Sequence, residues 1–427
     1  MAIDTPARIA VLGAGPIGLE TALYARFLGY DVDLFERGQV ADHVRQWGHI
    51  RLFTPFGMNS SPLGRSAIST QSPDVDLPAE DSLITGQQWI ESYWQPLSQV
   101  DLLRSQIHEH TEVIAVGKES YLKSELVSTE DRFDELFLIL TRDAEGTESW
   151  HEADIVIDTT GTFGSPNHLG PGGLVAAGEA ILKTQTTWAH EDPWLSYRLP
   201  DIQGKDQTHF SGKHTLVVGA GYSAATNLAA LLELQQKETT TRITWATRQP
   251  REQLESGLIA RYENDRLPQR DALARRVNQA ALDGSIEILS EAQIQRLSTT
   301  EQKTWQVEFC SDALDDQQPD TILANVGFRG DWELSEELQV HRCYASGGPM
   351  KWSATLIGTT ETDCLAQQTQ SHDSLMTTEP NFYVLGSKSH NRWSNFLFQN
   401  GLDQIRMLFS VIADRDNLNL YDTPLPT

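Results

Sequence analysis

Cysteine is scarce in this 427-residue chain, and its spacing excludes several kinds of site. The three cysteines are Cys310, Cys343 and Cys364. No pair has the C-x-x-C spacing. The sequence therefore does not indicate a disulfide scaffold, a sequence-local dithiol redox centre or a thiolate zinc motif.

Basic residues are outnumbered, because Lys and Arg total 33 against 59 Asp and Glu, which gives a net charge of −26. Phosphate backbones and anionic membranes repel such a chain, so we expect no nucleic-acid partner and no membrane partner. No apolar run approaches the ~18 residues that a membrane-spanning helix needs. The first residues lack the basic and apolar stretches of a secretory signal, so we expect a cytoplasmic protein.

Several catalytic motifs are also missing. The chain has no GxSxG, HExxH, GxxxxGK[ST] or DxDxDG pattern, which leaves hydrolase, zincin, P-loop and EF-hand functions without support. The run His108-Glu109-His110 has no second ligand cluster, and we interpret it as a solvated polar turn. We therefore predict no metal site.

A glycine fingerprint is present near the start of the chain. The segment 9–18 reads IAVLGAGPIG, which is GxGxxG directly after a predicted strand and at the start of a predicted helix. In such a turn Gly13 permits the tight bend, Gly15 lets the backbone approach a pyrophosphate, and Gly18 lets helix and strand pack closely. Glu36 ends the next predicted strand, where a carboxylate can accept hydrogen bonds from ribose hydroxyls. Together these features predict a dinucleotide site.

A second fingerprint follows about 200 residues later. The segment 216–224 reads LVVGAGYSA, with glycines at Gly219 and Gly221 and Ala224 at the third position. The next predicted strand ends in Thr247-Arg248 and carries no acid. A carboxylate would repel a 2′-phosphate, whereas an arginine can bind it, so this strand end favours NADPH over NADH. The alternative is that Arg248 is a solvated charge at a strand end.

Two such units, with an acid after the first and an arginine after the second, resemble the flavoproteins with two dinucleotide-binding domains. Segment 154–163 (DIVIDTTGTF) is similar to the segment that closes the first domain in these proteins. Segment 320–329 (DTILANVGFR) is similar to the segment that returns their chain from the second domain to the first. The resemblance implies an α/β fold with two Rossmann-like domains, in which the FAD domain is discontinuous and the NADPH domain is inserted. The implied boundaries are 1–205 for the first part of the FAD domain, 206–330 for the NADPH domain and 331–427 for the second part of the FAD domain.

The resemblance also assigns residues to the two cofactors. FAD is expected to contact Gly13, Gly15, Gly18, Glu36, Arg45, Trp47, Arg51, Thr160, Gly161, Gly386, Asn395 and Phe396. NADPH is expected to contact Gly219, Gly221, Ser223, Ala224, Thr247 and Arg248, and Arg266 and Arg270 could add phosphate contacts. The alternative for the loop that holds Arg45, Trp47 and Arg51 is a partly buried structural loop.

The segment 387–397 (SKSHNRWSNFL) is dense in polar and aromatic residues. In related flavoproteins this stretch runs under the flavin, and Ser394 or Asn395 could cap the helix that follows. Lys388, His390 and Arg392 are then the candidate catalytic residues. The alternative is a solvated loop that joins two elements.

The disulfide-reductase branch of these flavoproteins needs two nearby cysteines against the flavin, and no such pair is evident in the sequence. The resemblance thus favours a flavin monooxygenase, in which NADPH reduces FAD, O2 forms a C4a-(hydro)peroxyflavin, and a small-molecule substrate is oxygenated. The first alternative is an NADPH-dependent reductase or dehydrogenase that passes electrons to a small molecule or carrier protein. The second is a non-catalytic flavin- or nucleotide-binding sensor. The sequence specifies neither the substrate nor the oligomeric state.

Overall fold

The computed structural model describes residues 3–127, 129–182, 189–191, 193–357, 372–393 and 395–422. The chain divides into two units. Unit 1 comprises Met1–Ser165 and Phe328–Thr427, and unit 2 comprises Pro166–Gly327.

The strands of the described residues are numbered in chain order. They are β1 Arg8–Leu12, β2 Asp31–Phe35, β3 Ile107–His108, β4 Glu112–Lys118, β5 Phe137–Arg142, β6 Glu148–Ala153, β7 Ile155–Asp158, β8 Ala189–Glu191, β9 Trp194–Ser196, β10 His214–Val218, β11 Arg242–Ala246, β12 Glu287–Leu289, β13 Ile294–Thr299, β14 Trp305–Phe309, β15 Thr321–Ala324 and β16 Phe382–Val384.

The helices are numbered in the same way. They are α1 Pro16–Leu28, α2 Asp42–Arg45, α3 Pro62–Gln71, α4 Gly86–Trp89, α5 Gln95–Ser98, α6 Glu179–Leu182, α7 Tyr222–Lys237, α8 Pro268–Leu282, α9 Met350–Ile357, α10 Ser387–His390 and α11 Phe398–Ile412. A π-helical turn at Ile90–Trp94 joins α4 to α5, and 3-10 turns lie at Phe56–Met58, Glu130–Arg132, Pro171–Gly173, Gln207–His209, Arg251–Leu254, Glu333–Ser335 and His372–Leu375.

Unit 1 is built on a parallel sheet with the strand order β16-β7-β1-β2-β3. β1 pairs with β2 in the register Arg8↔Asp31 to Leu12↔Phe35. The four residues of β7 are all buried, as expected for an inner strand of a parallel sheet that is covered on both faces. An antiparallel meander, β4-β5-β6, accompanies this sheet.

Helix α1 contributes to the core of unit 1. It begins at Pro16, whose fixed φ suits the first helical position, and it ends before Gly29 in the left-handed conformation. Tyr24 stacks on Phe409 of α11 with ring centroids 5.2 Å apart. The same helix carries Glu20, which is fully buried and accepts a 2.6 Å hydrogen bond from the Tyr93 hydroxyl. Burial raises the pKa of Glu20 to about 7.

Unit 2 contains a second sheet, with the order β12-β11-β10-β15-β9-β8, and a β13-β14 hairpin. All neighbours in that sheet are parallel except the β8-β9 pair. β10 is buried along its whole length, and α7 follows it directly after a glycine turn. The predicted α/β class is therefore confirmed.

The first domain boundary differs from the expected one at residue 205. Residues 166–205 belong with unit 2, because β9 pairs in parallel with β15 in the register Trp194↔Thr321 to Ser196↔Leu323. That stretch contains prolines and glycines typical of a connector, and the sequence alone did not indicate its short strands. No helix in the described part of the chain combines the length and the hydropathy that crossing a bilayer requires.

Candidate functional site

A cavity of about 780 Å³ lies in unit 1 at the carboxyl ends of its parallel strands. The ends of β1, β2, β7 and β16 supply its floor through Leu12, Phe35, Thr159 and Gly386. Ligands of open parallel sheets bind at this edge, and the volume is in the range of small-molecule and cofactor sites. We treat this cavity as the candidate site of unit 1.

The three glycines of the first fingerprint have distinct surroundings. Gly13 has φ +94°, and a Cβ added there would lie 3.1 Å from the Cα of Thr160. A Cβ added at Gly18 would lie 1.9 Å from the carbonyl oxygen of Gly13. A Cβ added at Gly15 would meet nothing within 4 Å. Gly13 and Gly18 thus serve the turn and the packing, whereas Gly15 leaves open space beside the backbone, where a ligand can approach.

That open space adjoins the N-terminus of α1. No side chain caps this helix end, and its first residue, Pro16, has no N–H group. The backbone N–H groups of the first turn and the helix dipole favour an anion at this position. Gly13, Gly15 and Pro16 all line the cavity. The turn is anchored from β7, because the Thr159 hydroxyl contacts the carbonyl oxygens of Leu12 at 2.8 Å and Gly13 at 2.9 Å.

Glu36 lies beside this turn and lines the cavity. Its Oε2 accepts a hydrogen bond from the Ala14 N–H, and its Oε1 accepts one from the Gly38 N–H, both at 2.8 Å. Burial raises the pKa of Glu36, and the two backbone donors partly offset that rise. Each carboxylate oxygen has two lone pairs, so Glu36 can still accept hydrogen bonds from ligand hydroxyls. Arg37, which no sequence motif indicates, lines the same part of the cavity.

Aromatic and apolar side chains line another part of the cavity. They include Trp47, Leu52, Trp89, Phe396 and Phe398. Trp89 packs edge-on against Phe398, with ring centroids 5.9 Å apart, and donates a 2.7 Å hydrogen bond to the Asn59 carbonyl. The cavity therefore combines a polar part, with an uncapped helix end and a carboxylate, and an aromatic part. This combination fits FAD, which carries a pyrophosphate, hydroxyl groups and a flat ring system.

Two arginines that were expected beside FAD are not among the residues that line the cavity. The Arg45 Nε donates to the Val40 carbonyl at 3.3 Å, at the end of the short helix α2. The Arg51 guanidinium donates to the Leu83 carbonyl, and Arg51 lines a separate surface depression. The Arg51 hydrogen bond is a tertiary contact across 32 positions, which the local sequence does not indicate, whereas the Arg45 hydrogen bond is local, to a carbonyl five positions earlier. Trp47, from the same loop, does line the cavity.

The candidate catalytic residues do not line the cavity either. Lys388 is fully buried, and its Nζ contacts Asp158 Oδ2 at 2.5 Å and Thr160 Oγ1 at 3.1 Å. His390 is 1% exposed and packs against the rings of Trp352 and Phe396.

Burial lowers the pKa of His390 to about 4, so the imidazole is neutral at physiological pH. Its Nε2 has no hydrogen-bond partner among the described residues. Arg392 is exposed. The interpretation of this stretch as a uniformly solvated loop does not hold for Lys388 and His390, and the chemical roles of all three residues stay predictions.

The remaining expected FAD contacts divide into two groups. Thr160, Gly161, Gly386 and Phe396 line the cavity, whereas Asn395 is not among the lining residues. The helix that Asn395 was expected to cap begins later, at Phe398 with Leu397 as its N-cap residue. Ser394 lies outside the described residues.

The second fingerprint has the same geometry in unit 2. Gly219 has φ +117°, and a Cβ added there would lie 2.1 Å from the Asn325 carbonyl oxygen. A Cβ added at Gly221 would meet nothing within 4 Å, and no side chain caps α7. Ala224 is fully buried at the position of the third glycine, and Ser223 is exposed in the first helical turn. Unit 2 thus offers a second open helix N-terminus.

The residues expected to contact NADPH at the end of β11 and beyond it differ in their exposure and in their partners. Thr247 is buried, and its hydroxyl accepts a 3.2 Å hydrogen bond from the Gln249 N–H, whereas Arg248 is exposed. Arg270 is occupied, because it forms a buried ion pair with Asp265 at 2.7 Å. Arg266 is exposed. Arg248 and Arg266 are therefore better placed than Arg270 to meet a phosphate from solvent.

No protein-family model matches the chain, and no curated protein matches it in sequence. Solved structures do match. The bacillithiol disulfide reductase Bdr of Bacillus cereus has a TM-score of 0.66 at 16% identity, covering 96% of this chain and 99% of that chain. The T. acidophilum thioredoxin reductase has a TM-score of 0.56 at 16% identity, covering 94% and 97%. DfoA, a cadaverine monooxygenase of Erwinia amylovora, has a TM-score of 0.57 at 12% identity, covering 99% and 100%.

The chain has the fold of the flavoprotein oxidoreductases with two dinucleotide-binding domains. The predicted resemblance is thereby confirmed as a structural match, at low sequence identity. These structures include both disulfide reductases and a monooxygenase, so the flavoprotein fold does not distinguish between the two reactions.

Neither of the two cysteines that the structure describes lines the unit 1 cavity. Cys310 is exposed in unit 2, and Cys343 is buried in unit 1. Cys364 lies outside the described residues. Among the described residues, no group of three His, Cys, Asp or Glu side chains is arranged to hold a metal ion.

Two features of the site were missed by sequence reasoning. Asp158 pairs with Lys388 across 230 positions of sequence, and Arg37 lines the cavity beside Glu36. A charged residue at the end of the apolar strand IVID was a usable signal for Asp158, because a buried charge requires a partner. Nothing in the sequence identified that partner.

Proposed function

We propose that the chain is an oxidoreductase that binds FAD in the cavity of unit 1 and NADPH at the second fingerprint, in unit 2. The observation that carries this proposal is the geometry of Gly15 and Gly221. Each leaves open space beside an uncapped helix N-terminus, and each follows a tight glycine turn at the end of a buried strand. A purely structural glycine turn does not require that space.

In unit 1, the first turn of α1 would bind the pyrophosphate and Glu36 would accept hydrogen bonds from the ribose hydroxyls. Trp47, Trp89 and Phe396 would pack against the ring system. When bound, FAD supplies two-electron chemistry, taking a hydride from a reduced nicotinamide and passing electrons to an acceptor.

In unit 2, the first turn of α7 would bind the pyrophosphate of NADPH. Arg248 follows the strand after the glycine turn, where the 2′-phosphate is recognised in this fold. Arg248 is exposed and no acidic residue precedes it at the strand end, so the site favours the phosphorylated nucleotide.

We further propose that the acceptor is O2 and that the reaction oxygenates a small molecule. Neither described cysteine lines the cavity, which disfavours a dithiol of the described residues as the acceptor. The similarity to the fold of DfoA is compatible with this proposal. The competing proposal is an NADPH-dependent reductase, with which the folds of Bdr and thioredoxin reductase are equally compatible.

The experiment begins with the absorbance spectrum of the purified protein, followed by anaerobic titration with NADPH and, separately, NADH. We expect bound flavin and preferential bleaching by NADPH. The matched variants are Gly15→Ala, which should lose flavin, and Gly221→Ala, which should keep flavin but react slowly with NADPH. Protein that stays colourless after incubation with FAD would refute the proposal.

Air and ¹⁸O₂ are then admitted with a panel of amines, thiols and ketones, and products are analysed by mass spectrometry. Incorporation of ¹⁸O supports the monooxygenase proposal. Rapid anaerobic turnover with quinones or a carrier, without oxygen incorporation, would select the reductase instead. Bound flavin that NADPH does not reduce would favour a non-catalytic sensor.

A further inference from the structure

A buried ion pair lies directly behind the wall of the unit 1 cavity. Lys388 and Asp158 have no exposed side-chain surface, and Lys388 Nζ lies 2.5 Å from Asp158 Oδ2. Removing two charges from water is costly, and a buried pair is retained only with good geometry and additional hydrogen bonds. The partners of this pair are therefore informative.

Those partners converge on Thr160, which lines the cavity. Asp158 Oδ1 accepts hydrogen bonds from the Thr160 N–H at 3.0 Å and from the Thr160 hydroxyl at 2.7 Å. The same hydroxyl oxygen accepts a hydrogen bond from Lys388 Nζ at 3.1 Å. Thr160 is thus held by both members of the pair.

Lys388 is itself held in one position. Its stem passes Gly330, where an added Cβ would lie 2.9 Å from the Lys388 Cγ, and its Nζ lies 4.9 Å from the centre of the Trp332 ring. The α10 turn that carries it is tied to α11, because Gln404 accepts a hydrogen bond from the Gly386 N–H and donates one to Ser389, both at 2.8 Å. The ammonium group therefore has little freedom to move away.

Thr160 in turn adjoins the glycine turn where an anion is expected. A Cβ on Gly13 would touch the Thr160 Cα at 3.1 Å, and the neighbouring Thr159 hydroxyl contacts the Gly13 carbonyl. A continuous series of contacts thus runs from Lys388 through Thr160 to the Gly13 turn. Displacement of Thr160 would move the wall of the cavity at the pyrophosphate position, whereas Glu36, the proposed ribose contact, is held separately by the Ala14 and Gly38 N–H groups.

We propose that Lys388 and Asp158 are positioning residues that fix Thr160 beside the Gly13 turn and thereby select ligands that carry a pyrophosphate. This inference rests on the proposed FAD site and adds a role to residues that do not line the cavity. Lys388 does not touch the substrate in this proposal, which replaces the catalytic role expected from the sequence.

The test compares ADP with adenosine, which differ only in the pyrophosphate, and includes FAD as the complete ligand. Apo-protein is titrated calorimetrically with FAD, ADP and adenosine, for the wild type, Lys388→Met and Lys388→Arg. We expect Lys388→Met to weaken FAD and ADP at least tenfold and adenosine less than twofold. Lys388→Arg, which keeps the charge, should recover part of the loss.

The matched control is Lys118→Met. Lys118 is another buried lysine of unit 1, whose Nζ donates to the Glu135 carbonyl at 2.7 Å, and it does not line the cavity. This variant should bind all three ligands within twofold of the wild type. If Lys388→Met does not fold, Thr160→Val removes the connecting hydroxyl while leaving the ion pair, and it should also weaken ADP and not adenosine.

The outcomes separate the two proposals. If the wild type binds neither FAD nor ADP, the proposed function fails. If the wild type binds both, and neither Lys388→Met nor Thr160→Val changes the ratio of ADP to adenosine affinity, the positioning role is refuted. Equal weakening of ADP and adenosine would also refute it, because that is the result of general damage to the unit.

Discussion

Alanine substitutions at Gly15 and Gly18, three residues apart, should have opposite effects on folding and on cofactor binding. Gly15 has φ −75° and ψ −178°, which alanine adopts without strain, and its added Cβ meets nothing within 4 Å. Gly15→Ala should therefore leave the free energy of unfolding of the apo-protein unchanged or raise it by up to about 1 kcal/mol, because it restricts the unfolded chain.

Gly18→Ala should behave differently, because its Cβ would lie 1.9 Å from the Gly13 carbonyl oxygen and 2.7 Å from the Thr159 hydroxyl oxygen. Overpacking of this kind costs roughly 1–3 kcal/mol. For a unit of this size, that corresponds to a melting temperature lower by about 2–4 °C for each kcal/mol.

For FAD binding, Gly15→Ala is expected to be the damaging substitution, although it is the milder one for folding. In Gly15→Ala the methyl group occupies the space that a pyrophosphate needs, so we expect FAD affinity to fall at least tenfold, or about 1.4 kcal/mol. Thermal denaturation of the apo-proteins and fluorescence titration with FAD measure the two effects separately. The reasoning is refuted if Gly15→Ala binds FAD within twofold of the wild type, or if its apo-protein melts as early as that of Gly18→Ala.

Three further predictions concern charge. Because burial raises the pKa of Glu20 to about 7 from its ordinary value of 4.5, the stabilising effect of its protonated form is fully present below about pH 4.5 and is lost as the pH rises through 7. Between pH 5 and pH 8 the free energy of unfolding of the wild type should fall by up to about 3 kcal/mol relative to that of Glu20→Gln, as measured by urea titration. Parallel pH profiles of the two proteins would contradict this. Lys388→Met should lower the free energy of unfolding by about 3–5 kcal/mol, since it leaves Asp158 buried without its partner, whereas exposed Lys351→Met should change it by less than about 0.5 kcal/mol. Arg248→Ala should raise the KM for NADPH about 10- to 100-fold, the equivalent of a charge-assisted hydrogen bond, and leave the KM for NADH unchanged in steady-state assays; equal effects on both nucleotides would argue against 2′-phosphate recognition.

The two glycine turns could be predicted from sequence because their requirements are local. A positive φ at Gly13 and close packing at Gly18 depend on residues within one β-α unit, and the pattern of strand, turn and helix indicates both. The bounds of β1 and β2 follow from the same local signals. The pairing of β9 was missed because its parallel partner, β15, lies more than 120 residues later in the chain.

Side-chain direction could not be predicted in the same way. Arg51 is in a loop near the cavity, but it donates to the Leu83 carbonyl, 32 positions later. Arg45, at the end of α2, donates locally, to the Val40 carbonyl. Lys388 was recognised as an unusual residue, and its partner Asp158 is contributed by a strand 230 positions earlier. Such pairs are created by the tertiary fold, and no local pattern in one sequence encodes them.

Unit 1 is made of two chain segments that are separated by unit 2, so its folding cannot be completed until the second segment has been synthesised. β16 and the cavity residues Gly386, Ser387, Phe396, Leu397 and Phe398 are translated only after all of unit 2, which spans 162 residues from 166 to 327. At about 5–20 residues per second, a ribosome needs on the order of 10–30 s to make that stretch. Throughout this interval the nascent β7 has an unpaired edge where β16 will later pair. In the proposed function, FAD can therefore bind in the complete cavity only after residue 398 has been made, and until then the free edge of β7 is open to pairing with other chains.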